Sequence, residues 1–262
     1  MTPTLSPAAR EAYDGLAPAY DELTDAYDHE AWLGAIETIA RSHGLAGNQL
    51  LDVGCGTGKS FAPMLQRGFD VAACDVSPAM VAVARTRALQ PDRVFVADMR
   101  DLPQVGEFDL ITCIDDAVNY LSSADELGAT FAGMLANLAP GGLLVFDTNT
   151  RETYRTAFSS DWVHATDDRM IIWRGQAGEE FGDGDRAVAV VDVFTRSDGE
   201  EAWRHRTDRH EQRHFPAALV AALLTEAGFE VLDILGQHRG VRIEPTLDEG
   251  AHAKALFVAR RA

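Results

Sequence analysis

The stretch LLDVGCGTGKS, residues 50–60, sets three glycines at alternate positions behind an apolar run. Leu50–Val53 reads as a buried strand, and glycines just beyond a strand end let a ligand come close to the backbone. Three kinds of ligand compete for such a loop. A nucleoside-triphosphate loop has the spacing G-x-x-x-x-G-K-[ST], which requires glycine where this chain has Val53. A dinucleotide fingerprint, G-x-G-x-x-G, requires glycine where Lys59 follows Gly54 and Gly56. Neither spacing is met.

The third reading turns on Asp52. A carboxylate immediately before the glycines, at the C-terminal end of a strand, is unsuited to a pyrophosphate and suited to an ammonium group. Asp75, at the end of the next strand, can accept hydrogen bonds from ribose hydroxyls. A ligand with an amino-acid end and a ribose is S-adenosylmethionine.

Outward from the loop, strand-like and helix-like stretches alternate. Asp70–Cys74, Val94–Ala97, Leu110–Ile114 and Leu143–Asp147 read as strands, with helices near Ser60–Arg67, from Ser77-Pro78 to Ala88, and over Asp125–Leu138. This order implies a parallel sheet covered on both faces. Residues 7–43 have helical spacing, with Trp32, Ile36 and Ile39 on one stripe. After Thr150 the rhythm changes. Met170–Arg174, Ala187–Thr195 and Ala202–Phe215 read as antiparallel strands, the last two joined by a turn at Ser197-Asp198-Gly199. A helix over Pro216–Ala227 and strands at Phe229–Leu235 and Ala255–Ala259 close the chain. The expected division is a helical cap at 1–45, an α/β core at 46–158, a β insertion forming a lid at 159–215, and closing elements of the core at 216–262.

Composition narrows the class. The chain has 262 residues, 46% of them hydrophobic, enough for one substantial core. A balance of 23 basic and 41 acidic residues gives a formal charge of −18, which disfavours nucleic acid and acidic membrane surfaces as partners. No apolar run approaches the ~20 residues of a membrane span. The opening MTPTLSPAAREAYDG is not a secretory signal, and three cysteines without CxxC spacing fit reduced thiols, so a cytoplasmic location is expected.

LDVGCGTGKS, CDVSPAM, ADMRDLP, FDLITCIDDAVNYL and LAPGGLLVFD follow one another in the order and at the intervals of a class I S-adenosylmethionine-dependent methyltransferase. The opening YDGLAPAYDELT resembles the N-terminal segment of the small-molecule branch of that superfamily, which includes amino-sugar N-methyltransferases. The resemblance implies a Rossmann-like seven-stranded sheet with a small antiparallel lid. It implies that Asp52, Gly54 and Gly56 receive the methionine end, Asp75 the ribose, and Met80, Asp98 and the Met99 amide the adenine. Asp115 is expected beside the sulfonium, and Tyr13 and Tyr20 over the cofactor. Asp98 as a turn cap and Met80 as core packing are the structural alternatives, and Lys59 reads as a solvated or first-turn helix residue.

Candidate acceptor-side groups follow the fourth strand. Asp116 can orient an amine, Asn119 can bond a hydroxyl, and Tyr120 can line the pocket. In the insertion, alternation places Arg206, Asp208, His210, Gln212 and His214 on one face, most of it expected in solvent. His210 is the general-base candidate, with Asp116 and Tyr120 beside it, and Arg213 a substrate contact. No metal site is expected: His205, His210 and His214 read as scattered along a strand. The expected activity is N-methylation of a small molecule such as an amino sugar or an amino-acid-like metabolite, by a monomer or homodimer. O-methylation of a hydroxyl or carboxyl, C-methylation, and a non-catalytic S-adenosylmethionine-binding protein stay open.

Overall fold

Three helices precede the first strand in the computed structural model, which describes residues 7–25, 27–178, 180–196 and 202–262. They are α1 (Pro7–Leu16), α2 (Tyr20–Leu23) and α3 (His29–Ser42). Asp28 caps α3 by accepting the Ala31 amide at 2.9 Å, and α3 buries Trp32, Leu33, Ile36 and Ala40 along one stripe.

The strand–helix alternation then runs β1 (Gln49–Val53), α4 (Ala62–Gln66), β2 (Asp70–Asp75), α5 (Pro78–Arg85), β3 (Val94–Val96), β4 (Phe108–Cys113), α6 (Ala124–Ala136) and β5 (Leu138–Asn149). Ser77 accepts the Met80 amide at 3.1 Å and Pro78 begins the first turn, so α5 starts where its cap chemistry dictates. It ends at Arg85, three residues short of the expected Ala88. Strands β1 to β5 are parallel.

The chain then runs through α7 (Arg151–Thr156), β6 (Asp161–Ala165), β7 (Arg169–Gly175), β8 (Arg186–Thr195), β9 (Arg204–Arg213), α8 (Ala217–Ala227), β10 (Phe229–Gln237), β11 (Ile243–Glu244) and β12 (Lys254–Arg261). The large sheet has the order β11-β10-β12-β5-β4-β1-β2-β3, with β12 antiparallel to both neighbours. It therefore carries eight strands where seven were expected. The extra one, β11, is a two-residue return onto β10, too short to show a hydrophobic period.

Strands β6 to β9 form a separate antiparallel sheet. Its β6 escaped the sequence because all five of its residues are exposed and none alternates. The expected turn at Ser197-Asp198-Gly199 lies outside the described residues. On β9 and just beyond it the expected solvation is overturned: Asp208, His210, Gln212 and His214 are buried, because this face of the lid turns inward, and the His210 ring meets Tyr13 of α1. Only Arg206 of that face stays exposed, donating to the Glu11 carbonyl at 2.8 Å.

Successive strand residues feed opposite cores. Leu51, Ile111 and Leu144 pack with Phe131 of α6 and Leu224 of α8, while Leu50, Leu110 and Val145 pack with Trp32, Met64 and Val81 from α3, α4 and α5. Each such fully buried side chain contributes about 1.5–3 kcal/mol of burial energy. Cys55, Cys74 and Cys113 are buried free thiols. No helix among the described residues is long and apolar enough to cross a membrane. The chain winds from β1 out to β3 and returns to β4 beside β1, so the crevice beyond β1 and β4 is the switch point where open α/β sheets bind ligands.

Candidate active site

The glycine loop leaves β1 at that switch point. The Gly54 and Cys55 amides donate to the Cys74 carbonyl at 2.8 and 3.0 Å, and the Gly56 amide donates to Asp75 Oδ2 at 2.9 Å. Gly54 sits at φ 75°, and a Cβ there would lie 3.0 Å from the Ala117 side chain. Glycine is needed both for the left-handed backbone and for the space in front of it.

A first cavity runs from this loop past Asp75 and Val76 to Asp98, Met99 and Arg100, and on to Ile114 and Asp115. A second, of about 570 Å³, lies under the lid and is lined by Asp116, Trp173, His210, Gln212 and Lys254 among others. Tyr13, Tyr20, His29, Asp115 and Tyr120 line both, and so form the wall between them. The two open spaces therefore meet at a partition of three tyrosines, a histidine and a carboxylate.

On the first cavity, Asp75 also accepts the Ser77 amide at 2.8 Å, and burial pushes its carboxyl up to about 6 despite these bonds. Asp98 caps the short turn after β3 through the Arg100 amide at 2.9 Å and pairs with the Arg100 guanidinium at 2.6 Å. It is both a cap and a wall of the cavity. Lys59 is neither solvated nor free: it donates to the Asp21 and Thr24 carbonyls, 3.2 Å each, and ties the end of α2 to the glycine loop.

Four expected site residues are placed differently. Asp52 is not on the cavity wall. Its carboxylate is buried behind the loop, accepts from Ser60 Oγ and from Thr112 Oγ1 at 2.7 Å, and is pushed up to about 7 by burial. Ser60 does line the cavity, so Asp52 reaches it through that hydroxyl. Met80 is fully buried on the inner side of α5 and lines neither cavity. Asn119 also lines neither: it donates to the Arg213 carbonyl at 2.8 Å and accepts the Asn149 amide at 2.9 Å, stitching the lid to β5. Arg213 turns away to the Ser122 carbonyl at 2.8 Å and over the Phe215 ring.

On the second cavity, Tyr120 Oη lies 3.1 Å from His210 Nδ1, and His210 Nε2 is buried without a hydrogen-bond partner. Burial lowers this imidazole to about 4, which leaves it neutral near pH 7. Asp116 accepts from Gln212 at 2.5 Å and from Lys254 at 2.9 Å. His205 and His214 do not join His210. His205 pairs with Asp192 at 2.7 Å, and His214 with Glu249 at 2.9 Å.

Two residues of the site were not singled out in the sequence. His29, the first residue of α3, bonds Asp115 Oδ2 through Nε2 at 3.0 Å. Lys254 is the first residue of β12, ahead of its apolar run, and no local signal in the sequence marks it. Burial is opposed at Asp115 by the hydrogen bond from His29 and the nearby charge of Lys254, and these prevail, holding its carboxyl below the ordinary range.

Residues 50–142 match the family described as methyltransferase domain. YqeM of Bacillus subtilis, named as a methyltransferase without a stated acceptor, is 29% identical over 94% of this chain and 95% of its own. The dTDP-3-amino-3,4,6-trideoxy-alpha-D-glucopyranose N,N-dimethyltransferase of Streptomyces venezuelae is 29% identical over 78% of this chain and 84% of its own. An S-adenosylmethionine-dependent methyltransferase from Clostridium acetobutylicum shares the fold with a TM-score of 0.78 at 24% identity, over 95% of this chain and 98% of that one. The chain carries a methyltransferase domain over residues 50–142 and is an S-adenosylmethionine-dependent methyltransferase. Its cofactor is S-adenosylmethionine, and the glycine cradle, which a Cβ at Gly54 would crowd, fits a ligand lying against the backbone.

Proposed function

We propose that the chain methylates the nitrogen of a small-molecule amine, an amino sugar or an amino-acid-like metabolite, by in-line displacement. The observation that carries this reading is the acceptor cavity itself, where the Asp115–Asp116 carboxylates stand opposite a neutral, unpartnered His210 nitrogen. Carboxylates attract and orient an amine, and a neutral imidazole takes the proton the nitrogen gives up. The amino-sugar dimethyltransferase among the relatives supports an amine acceptor.

In this reading Gly54 and Gly56 hold the methionine end, with Asp52 acting on it through Ser60. Asp75 holds the ribose, Asp98 and the Met99 amide meet the adenine, and Tyr13 and Tyr20 close over the cofactor. Bound S-adenosylmethionine supplies a methyl group on a sulfonium, an excellent leaving group. The protein's task is then alignment and exclusion of water, and the tyrosine partition beside Asp115 performs it, worth several kcal/mol in orientation. With its Nδ1 proton donated to the Tyr120 oxygen, His210 presents the Nε2 lone pair to the acceptor. Asp116 orients the acceptor nitrogen.

The test is incubation with methyl-labelled S-adenosylmethionine and a panel of amino sugars, amino acids and phenols. Label on nitrogen is expected. Label on oxygen alone would replace this reading with O-methylation, which the Tyr120–His210 pair would serve by deprotonating a hydroxyl.

A further inference from the structure

Asp115 and Asp116 line the second cavity, Asp147 is buried behind them, and a single ammonium stands among the three carboxylates. Lys254 Nζ lies 2.9 Å from Asp116 Oδ1, 3.0 Å from Asp147 Oδ1 and 3.7 Å from Asp115 Oδ1, and 5.5 Å from the Trp32 ring centre. Asp115 and Asp116 have φ of 60° and 52°, the positive-φ non-glycine residues among the described ones. Two successive left-handed aspartates are held only if their surroundings over-determine them. Asp147 does part of this: its two oxygens accept the Asp115 and Asp116 amides at 2.9 and 2.7 Å.

Asp147 is wholly buried, and its proximity to Asp115 and Asp116 is repulsive. The antiparallel register of β5 with β12 pairs Leu256 with Asp147 and Lys254 with Asn149, which brings the lysine to the same end of the sheet as the turn. The remaining oxygens are covered from other elements, Asp115 Oδ2 by His29 of α3 and Asp116 Oδ2 by Gln212 of the lid. Tyr27 and Tyr120 also face this cluster, and both stay protonated, burial raising each above its ordinary value.

We propose that Lys254 is a positioning residue of the acceptor site, holding the left-handed Asp115–Asp116 turn through Asp147 and supplying the counter-charge that lets three carboxylates lie together beneath the second cavity. A buried cation bonded to two carboxylates on different elements locks them in register, and its removal strands their charge. The role in acceptor binding rests on the second cavity being the acceptor site; the counter-charge role does not.

The test compares Lys254→Met, Lys254→Arg and the double variant Lys254→Met/Asp147→Asn. Without the ammonium, the stranded carboxylates ionise later in the folded state than in the unfolded one, so Lys254→Met loses stability as pH rises. Its melting temperature should fall further below wild type at about pH 8 than at about pH 5. Lys254→Arg should keep a pH-independent gap, and Asp147→Asn should narrow the gap of Lys254→Met. Cofactor affinity by calorimetry should change less than about 5-fold, while kcat for an amine acceptor falls about 100-fold or more and its acid limb moves upward. A pH-independent loss of stability, or a double variant no more stable than Lys254→Met or unable to fold, would overturn the proposal. If the wild-type protein methylates no amine in the panel, the acceptor reading fails, and the melting and calorimetric arms still decide the role of Lys254.

Discussion

Substituting Asp75 by alanine should weaken S-adenosylmethionine binding in a manner that depends on pH. The carboxylate lines the first cavity and already accepts the Gly56 and Ser77 amides at 2.9 and 2.8 Å, so its position is set before any ligand arrives. A hydrogen bond from a ribose hydroxyl to such a charged group is worth about 1.5–3 kcal/mol, hence about 10- to 150-fold in Kd. Burial raises this carboxyl to about 6. A ligand that needs it ionised binds fully above that pH and loses affinity as pH falls through it, at most about tenfold per unit. Asp52, pushed up to about 7, adds a slope of the same sign through Ser60. For folding the sign reverses. A carboxyl that ionises later in the folded state costs stability as pH rises from about 4 to its folded value. Isothermal titration between about pH 5 and 8, in two buffers of different ionisation enthalpy, reads both the affinity and the protons released. Wild type should release protons on binding below neutrality, and Asp75→Ala should lose the lower of the two steps. An Asp75→Ala affinity within about threefold of wild type, with the same proton count, would refute the placement of the ribose.

His210→Ala should abolish most turnover while leaving cofactor affinity unchanged. Because its imidazole is lowered to about 4, the wild-type rate should show no inflection between about pH 6 and 7 from this group; steady-state kinetics across pH checks both points. Asn119→Ala removes one hydrogen bond from the core to the lid and one within the core, and should lower stability by about 2–4 kcal/mol in denaturant titration, with cofactor affinity little affected. Lys59→Met loosens the end of α2 from the glycine loop, where Thr57 still donates to Asp21 at 2.6 Å, and should speed cofactor dissociation several-fold in stopped-flow experiments, since the Tyr20 side of the cavity loses one of its ties.

The spacing of Asp52, Gly54 and Gly56, the cap at Ser77, and the alternation of apolar runs are local facts, and they determined the parallel sheet, the glycine loop and Asp75 and Asp98 on the cavity beside it. Local reading failed where a residue's role depends on what lies across the fold. Asn119 looked like a ligand-binding side chain because its sequence neighbours line a pocket, and it proved to be a stitch to Arg213 and Asn149. Lys254 was invisible as a site residue because its partners are carboxylates on β5 and the turn after β4, joined to it only by strand order and register. Propensity and periodicity act over a few residues, whereas a buried charge finds its partners wherever the sheet brings them. The wall of the first cavity is therefore largely written along the chain, and the second cavity exists only once β9, β12 and α3 have closed around it.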